Sequence, residues 1–359
     1  MAMISKLSIG IVGLPNAGKS TLFNALMGRH IADNTNYPFC TIEPNVGVVE
    51  VPDEKLDKLC QISESQKRIA AVVEFVDIAG LIAGASKGEG LGNKFLDNIR
   101  NCDAICHVVR NFTDPAVIRS GSTDPQSDFE VVCTELILKD LESIDKFIDK
   151  NKMVAEEKDR LAVAVKLKEN LDRGILASRI EFDKEEKELV GEFFLLSLKP
   201  FFIVVNVDED THQNLEKEKL RLSDWDTVPI CAKIEEDLAD FDKQEKKDYL
   251  KSLGIEEAGL ERVIKKAYDT LGLQSFYTTG KKESRAWTIK KSYRAPQAAG
   301  VIHTDFERGF IMAEVISFDQ IIEIGSWNKA KELGKIRHED SNYEMRPDDV
   351  VEFRFNVSK

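Results

Sequence analysis

The stretch Gly13-Leu14-Pro15-Asn16-Ala17-Gly18-Lys19-Ser20 follows a short apolar run near the start of the sequence. Its spacing, G-x-x-x-x-G-K-[ST], is that of a phosphate-binding P-loop. The glycines let backbone N–H groups turn toward phosphates, Lys19 offers a charge to the β- and γ-phosphates, and Ser20 offers a hydroxyl to Mg²⁺. The following residues, 20–26, are predicted to form a helix whose positive end faces the same phosphates. The predicted phosphate contacts are Asn16, Ala17, Gly18, Lys19, Ser20 and Thr21.

Composition limits what else the chain can be. Its 359 residues suffice for two or three domains, and 42% hydrophobic with 31% charged residues describes a soluble globular protein. The most apolar stretch, residues 193–207, is interrupted by Lys199 and Pro200 and is too short to span a membrane. A net charge of −13 argues against attraction of the whole molecule to nucleic acid, so any RNA contact needs a local basic patch. The six scattered cysteines are interpreted as reduced core thiols, which indicates a cytoplasmic protein. We expect a monomer.

Two further stretches predict a nucleotide switch. Thr41 lies in a polar loop beyond the P-loop, where its hydroxyl can ligate Mg²⁺ and its backbone can contact the γ-phosphate. Asp77 ends an apolar strand and begins Asp-x-x-Gly, so it would support Mg²⁺ through water while the Gly80 N–H senses the γ-phosphate. Leu81 stands where well-known GTPases carry a glutamine that orients water. With no side-chain base at Leu81, we expect slow hydrolysis.

The base end of the predicted site follows a later apolar strand. Asn206, Val207 and Glu209 stand where a GTPase carries Asn-Lys-x-Asp. Glutamate is one methylene longer than aspartate, so its bidentate fit to guanine is lost and adenine becomes a plausible base. The neighbouring Asp208 leaves guanine open as the alternative. Cys231 and Ala232 are predicted to form the last base-contacting loop.

The residues from about 128 to 177 carry a helical pattern. Apolar residues recur at intervals of three and four on two predicted helices: Ile137, Leu141, Ile144 and Ile148, then Ala164, Leu167 and Leu171. We interpret them as two antiparallel helices with a charged tip, inserted as an arm. A helical insertion that only packs on the body is the alternative.

The C-terminal part predicts a small α+β domain. The start of this domain carries basic residues with aromatic residues interleaved: Lys281, Lys282, Arg285, Lys290, Lys291 and Arg294, with Trp287 and Tyr293. A basic strand edge with interleaved aromatic residues indicates an RNA-facing patch. A solvated sheet face is the alternative.

Several stretches together resemble one family, the Obg-like ATPases of YchF type, which are TRAFAC-class P-loop NTPases. They are the P-loop, Phe39–Asn45, Asp77–Leu81, Gly88–Asn93, the Asn-x-x-Glu at Asn206, and the C-terminal stretches Arg285–Ile289, Ala295–Gly300 and Ile302–Glu307. The resemblance implies a G-domain-like core, a helical insertion and a C-terminal β-grasp (TGS) domain. It also implies preference for ATP over GTP, binding to ribosomes, and a K⁺ ion at Asn16. Lys233 departs from the pattern, because a small residue is expected there.

The predicted domains are residues 1–130 with 200–275 for the nucleotide-binding part, 131–199 for the helical insertion and 276–359 for the TGS domain. The predicted function is a cytoplasmic, Mg²⁺-dependent ATPase switch that signals to the ribosome through the basic patch and the helical arm. A GTPase with relaxed base selection and a nucleotide-gated adaptor with incidental hydrolysis are the alternatives. A metabolic P-loop kinase is disfavoured because no site for an acceptor substrate is visible.

Overall fold

Six strands form a mixed sheet that carries the glycine-rich loop at the carboxyl end of an inner strand. The computed structural model describes residues 7–30, 45–78, 90–112, 124–209, 222, 225, 227–238, 241, 243–255 and 257–356. The strands of this first sheet are β1 Ser8–Val12, β2 Val46–Glu50, β4 Val72–Asp77, β5 Ala104–Asn111, β6 Phe201–Val207 and β7 Thr227–Ile230. Their order is β2-β4-β1-β5-β6-β7, and every neighbouring pair is parallel except β2 with β4.

Helices cover both faces of the first sheet. They are α1 Lys19–His30, α3 Gly90–Asn101, α7 Ala232–Asp237, α8 Lys243–Ser252 and α9 Gly259–Thr270. The helix α2 Glu54–Ser63, which lies between β2 and β4 in sequence, packs mainly against the C-terminal part of the chain. Leu22 of α1 and Val263 of α9 share a core with Val108 on one face, while Leu96 of α3 packs with Val12 on the other. Because both faces are covered, the inner strands are apolar along almost their whole length.

The predicted pair of antiparallel helices is confirmed. The helices of this region are α4 Pro125–Asn151, α5 Lys158–Leu171 and α6 Lys184–Gly191. At 27 residues, α4 is about 40 Å long. Its first half packs on the sheet through Val132, and its second half packs with α5 in a separate cluster that contains Ile144 and Leu167. The arm is therefore attached to the body along one half of α4 and has its own core along the other.

A buried carboxylate fixes the arm to the body. Asp140, in the middle of α4, exposes 1% of its surface. It accepts hydrogen bonds from the backbone N–H groups of Leu196 and Ser197, both 2.8 Å, and from the Ser197 hydroxyl at 2.6 Å. Residues 196–197 lie just before β6, so this cluster ties the arm to the strand that leads to Asn206.

A second six-stranded sheet occupies the C-terminal part of the chain. Its strands are β3 Lys67–Ile69, β8 Leu273–Thr279, β9 Glu283–Lys290, β10 Phe310–Ser317, β11 Arg337–Glu339 and β12 Asp349–Phe355. Its helices are α10 Ala295–Ile302, α11 Thr304–Arg308, α12 Phe318–Ile324 and α13 Trp327–Glu332. The order is β11-β10-β12-β8-β9-β3, with β8–β9 an antiparallel hairpin and β12 parallel to β8. With α10 packed on one face, this is the predicted β-grasp arrangement.

The prediction that β9 is a basic strand edge is wrong. β9 pairs with β8 on one side and with β3, from residues 67–69, on the other. Trp287 is 9% exposed, packs in the core, and donates its indole N–H to the Thr278 hydroxyl at 2.9 Å. Lys281 and Lys282 lie in the β8–β9 turn, whereas Lys290 ends the strand about 25 Å away. The basic residues therefore form two groups rather than one patch.

The two sheets share one hydrophobic core. Leu56 and Leu59 of α2 belong to the same buried cluster as Tyr277, Phe318 and Ile321 from the second sheet and its helix α12. The second sheet is therefore packed directly on the nucleotide-binding part. None of the helices in the described ranges combines the length and the apolar character needed to cross a bilayer.

Candidate nucleotide-binding site

The predicted P-loop connects β1 to α1 and requires its glycines. Gly13 and Gly18 have φ angles of +153° and +100°. A Cβ atom at Gly13 would lie 2.3 Å from the Val108 carbonyl oxygen, and one at Gly18 would lie 2.4 Å from Nδ2 of Asn206. Any other residue would therefore be both strained and obstructed, so the sequence motif is a requirement of this backbone.

The side chain of Lys19, which is predicted to bind the phosphates, is buried within the P-loop. It is 8% exposed, and its Nζ donates to the Leu14 carbonyl oxygen at 2.8 Å. Burial lowers the pKa of the ammonium group, and the negative charge of Asp77 acts in the opposite direction. A buried cation favours an anionic ligand, because phosphate oxygens would replace the hydration that the ammonium has lost.

Ser20 and Asp77 form the candidate metal site. The Ser20 hydroxyl donates to Oδ2 of Asp77 at 3.1 Å, which joins the start of α1 to the end of β4. The other oxygen, Oδ1 of Asp77, is buried and has no hydrogen-bond partner within the described part of the chain. A hydroxyl and a carboxylate with an unsatisfied oxygen are ligands suited to Mg²⁺ or its bound water, so the residues fit this ion.

Asn206 joins the P-loop to the predicted base-contacting loop. Its Nδ2 donates to the Ala17 carbonyl oxygen at 3.3 Å, and its Oδ1 accepts from the Ala232 N–H at 3.4 Å. Glu209 lies half-buried three residues further on. The structure thus brings together the predicted phosphate loop and both predicted base loops at one edge of the sheet.

Other predicted site residues are placed differently or lie outside the described ranges. Val207 exposes 2% of its surface and packs in a core cluster that also contains Cys231. Their predicted contact with the base stays a prediction. Thr41, Gly80 and Leu81 lie outside the described residues.

Two buried polar residues near the site were missed by the sequence analysis. Arg110 pairs in register with Asn206 on the neighbouring strand, and its guanidinium lies 4.3 Å from the centre of the Phe112 ring. His107 pairs in register with Val12, the residue before the P-loop. Burial, reinforced by the charge of Lys19, lowers the pKa of His107 to about 3, so it stays neutral beneath the loop. A polar side chain inside an apolar strand was the available signal for both.

A strand, a P-loop, a helix and an aspartate at the end of a neighbouring strand together define a nucleotide-binding domain of the P-loop NTPase class. A family model described as a 50S ribosome-binding GTPase (MMR_HSR1) matches residues 8–231. A second model, YchF-GTPase_C, described as a protein of unknown function (DUF933), matches residues 273–356.

Similar proteins cover almost the whole chain. The "ribosome-binding ATPase YchF" of Bacillus subtilis (strain 168) is 47% identical over 365 residues, which cover 98% of this chain and 100% of that protein. The protein of the same name from Escherichia coli O157:H7 is 46% identical, with 97% and 99% covered. The solved structure of the Schizosaccharomyces pombe YchF GTPase superposes on this chain with a TM-score of 0.87 and 33% identity, with 97% of this chain and 98% of that chain covered. The chain belongs to the YchF family, which confirms the resemblance and the predicted fold class.

Proposed function

We propose that this chain is a Mg²⁺-dependent ATPase whose nucleotide state is signalled to the ribosome. The observation that carries the proposal is the pairing of Ser20 with Asp77 close to the buried ammonium of Lys19, where one Asp77 oxygen has no hydrogen-bond partner among the described residues. The relatives named as ribosome-binding ATPases support the substrate class and the partner. We expect the protein to act in the cytoplasm and as a monomer.

The residues of the site act mainly by binding and orientation. The backbone N–H groups of the P-loop receive the phosphates, and Lys19 exchanges the Leu14 carbonyl oxygen for β- and γ-phosphate oxygens. Ser20 and Thr41 would hold Mg²⁺, with Asp77 behind them. When bound, the ion supplies neutralisation of the phosphate charge. Because Leu81 has no acceptor for a proton, we expect the Gly80 backbone to orient the water and turnover without a partner to be slow. Asn16 would hold a K⁺ ion, which would supply positive charge beside the phosphates as an arginine finger does.

The choice of base is proposed to depend on Glu209. The names of the relatives differ on this point, because the curated proteins are called ATPases and the S. pombe protein is called a GTPase. Glutamate places its acceptor one methylene away from the position that suits guanine. We therefore expect the wild type to bind ATP more tightly than GTP, and Glu209→Asp to shift the ratio toward GTP by about tenfold.

The test measures dissociation constants of ATP and GTP for the wild type and Glu209→Asp, with Glu188→Asp, at an exposed position on α6, as the control. Turnover is then compared in K⁺ and in Na⁺, and with and without ribosomes, whose binding is measured by co-sedimentation. Faster turnover in K⁺ and with ribosomes is expected. Tighter binding of GTP by the wild type, or no binding to ribosomes in either nucleotide state, would overturn the corresponding part of the proposal.

The ribosome-facing surface is proposed to include the arm and the basic group in the β8–β9 turn. The tip of the arm exposes Met153 by 91%, a large apolar side chain without cover among the described residues. Lys281 and Lys282 are both exposed. Charge reversal at these lysines is expected to weaken ribosome binding and to make it less dependent on salt.

A further inference from the structure

The segment that joins β2 to β4, residues 51–71, is bound to the second sheet at several points. This connecting segment contains α2 and β3. β3 pairs in parallel with β9 over three residues, and the Gln66 N–H donates to the Lys281 carbonyl oxygen at 3.0 Å. In sequence, β3 therefore lies between β2 and β4, two strands of the nucleotide-binding part. In the fold, it belongs to the sheet of the C-terminal part.

Side-chain hydrogen bonds hold both ends of α2 to β8. At the first end, Asp53 caps the helix by accepting from the N–H groups of Lys55 and Leu56, both 3.0 Å, through Oδ1. Its other oxygen accepts from the Tyr277 hydroxyl at 2.9 Å. At the far end, the Thr279 hydroxyl donates to the Ser63 hydroxyl at 2.8 Å. Burial and the Asp53 carboxylate raise the pKa of Tyr277, so its hydroxyl remains a hydrogen-bond donor.

The connecting segment is also stiff within itself and continuous with the metal site. Arg68 of β3 contacts Asp57 of α2 and Glu50 of β2 through its guanidinium, so the three elements are tied together. β4 begins three residues after β3, pairs with β2, and ends at Asp77. A continuous series of paired strands and hydrogen bonds thus links the second sheet to Asp77, which accepts from the Ser20 hydroxyl.

We propose that Tyr277 and Thr279 are positioning residues for the nucleotide site, which act by holding the connecting segment so that Asp77 lies against Ser20. The proposal rests on the proposed function. It makes the second sheet part of the switch, because a partner that moves this sheet changes the nucleotide site. By thermodynamic linkage, nucleotide binding changes the affinity for that partner by the same factor.

The test uses the full chain and a matched pair of double variants. Tyr277→Phe with Thr279→Val removes both hydroxyls and keeps the shape of the side chains. The control, Tyr268→Phe with Thr288→Val, also removes two paired hydroxyls, whose oxygens lie 3.1 Å apart. None of the hydrogen bonds of Tyr268 involves the connecting segment. Equal thermal stability of the two variants shows that both fold.

Two measurements are made on each protein. In the nucleotide-free chain, hydrogen exchange of the β4 amides is expected to be about tenfold faster in the Tyr277/Thr279 variant than in the control. With nucleotide, the Mg²⁺ concentration for half-maximal binding of ATP is expected to rise about fivefold in that variant alone. A purely structural role would change stability without changing this Mg²⁺ dependence.

The outcomes separate the two proposals. If the wild type binds no ATP, the proposed function is wrong. If the wild type binds ATP and the two double variants behave alike in exchange and in Mg²⁺ dependence, the positioning role is wrong. If the double variant does not fold, Tyr277→Phe and Tyr268→Phe are compared singly by the same two measurements, and equal results again overturn the positioning role.

Discussion

Replacing His107 with leucine is expected to remove an acid-sensitive part of the stability of the protein. His107 lies on β5, 3% exposed, with its ring centre 5.0 Å from that of Phe129. Its Nε2 is one of the buried atoms for which the described part of the chain provides no hydrogen-bond partner. Burial, with the charge of Lys19 adding to it, lowers the pKa of this imidazole from 6.5 to about 3.

The sign and size of the effect follow from proton linkage. As the pH falls below 6.5, the unfolded chain binds a proton at this position, whereas the folded chain does not until the pH approaches 3. The contribution of His107 to the stability of the folded protein is therefore fully retained at pH values above the pKa that His107 has in the unfolded chain. It decreases as the pH falls below that pKa. About pH 5 is roughly 1.5 units below the pKa of His107 in the unfolded chain, and each unit costs about 1.36 kcal/mol. The free energy of unfolding is therefore lower by about 2 kcal/mol at this pH.

The assay is urea unfolding of the wild type and His107→Leu at about pH 7 and about pH 5. The leucine also changes the free energy of unfolding by an amount that does not depend on pH. This amount cancels when the free energies of the same protein at the two pH values are subtracted. We expect the wild type to lose about 2 kcal/mol more than the variant. NMR of histidine-labelled protein should show one imidazole that does not titrate above about pH 4. An equal loss in both proteins, within about 0.5 kcal/mol, would refute the reasoning.

Three further substitutions test the site and the arm. Gly18→Ala should reduce ATP affinity by at least about a hundredfold, because the new Cβ would clash with a neighbouring amide; calorimetric titration measures this, and unchanged affinity would contradict it. Lys19→Ala should reduce ATP affinity by a similar factor. It should not lower the melting temperature, since burying a cation costs free energy and the variant removes this cost. A melting temperature lowered by several degrees would argue for a structural role of Lys19. Asp140→Ala should cost about 2–5 kcal/mol by leaving the Leu196 and Ser197 N–H groups unsatisfied, and proteolysis within the arm should quicken; an arm as resistant as the wild type's would count against this anchor.

The nucleotide-binding part could be predicted because its signals are local. The P-loop fixes four positions in eight residues, and Asp77 ends a strand whose apolar character is visible in the sequence. The two helices of the arm could be predicted from the spacing of residues such as Ile144 and Leu167, because helices place residues three and four apart on one face.

The pairing of β3 with β9 could not be predicted in this way. Lys67–Ile69 has three residues and no alternating pattern, and its partner lies far along the chain. The same pairing is the reason why the basic edge was predicted wrongly, since nothing near residue 283 in the sequence shows that another strand covers it. The burial of Trp287 was missed because aromatic residues among lysines fit a nucleic-acid surface and a sheet core equally well.

The shared core of the two sheets has a consequence for how the chain is made. The Ser65 hydroxyl and the Ser284 hydroxyl that it contacts are 219 residues apart. At synthesis rates of about 5–20 residues per second, Ser284 is added to the chain roughly 10–45 s after Ser65. We therefore expect the nascent chain to expose the apolar side of α2 until the strands of the second sheet have been synthesised, and to depend on chaperones during that interval.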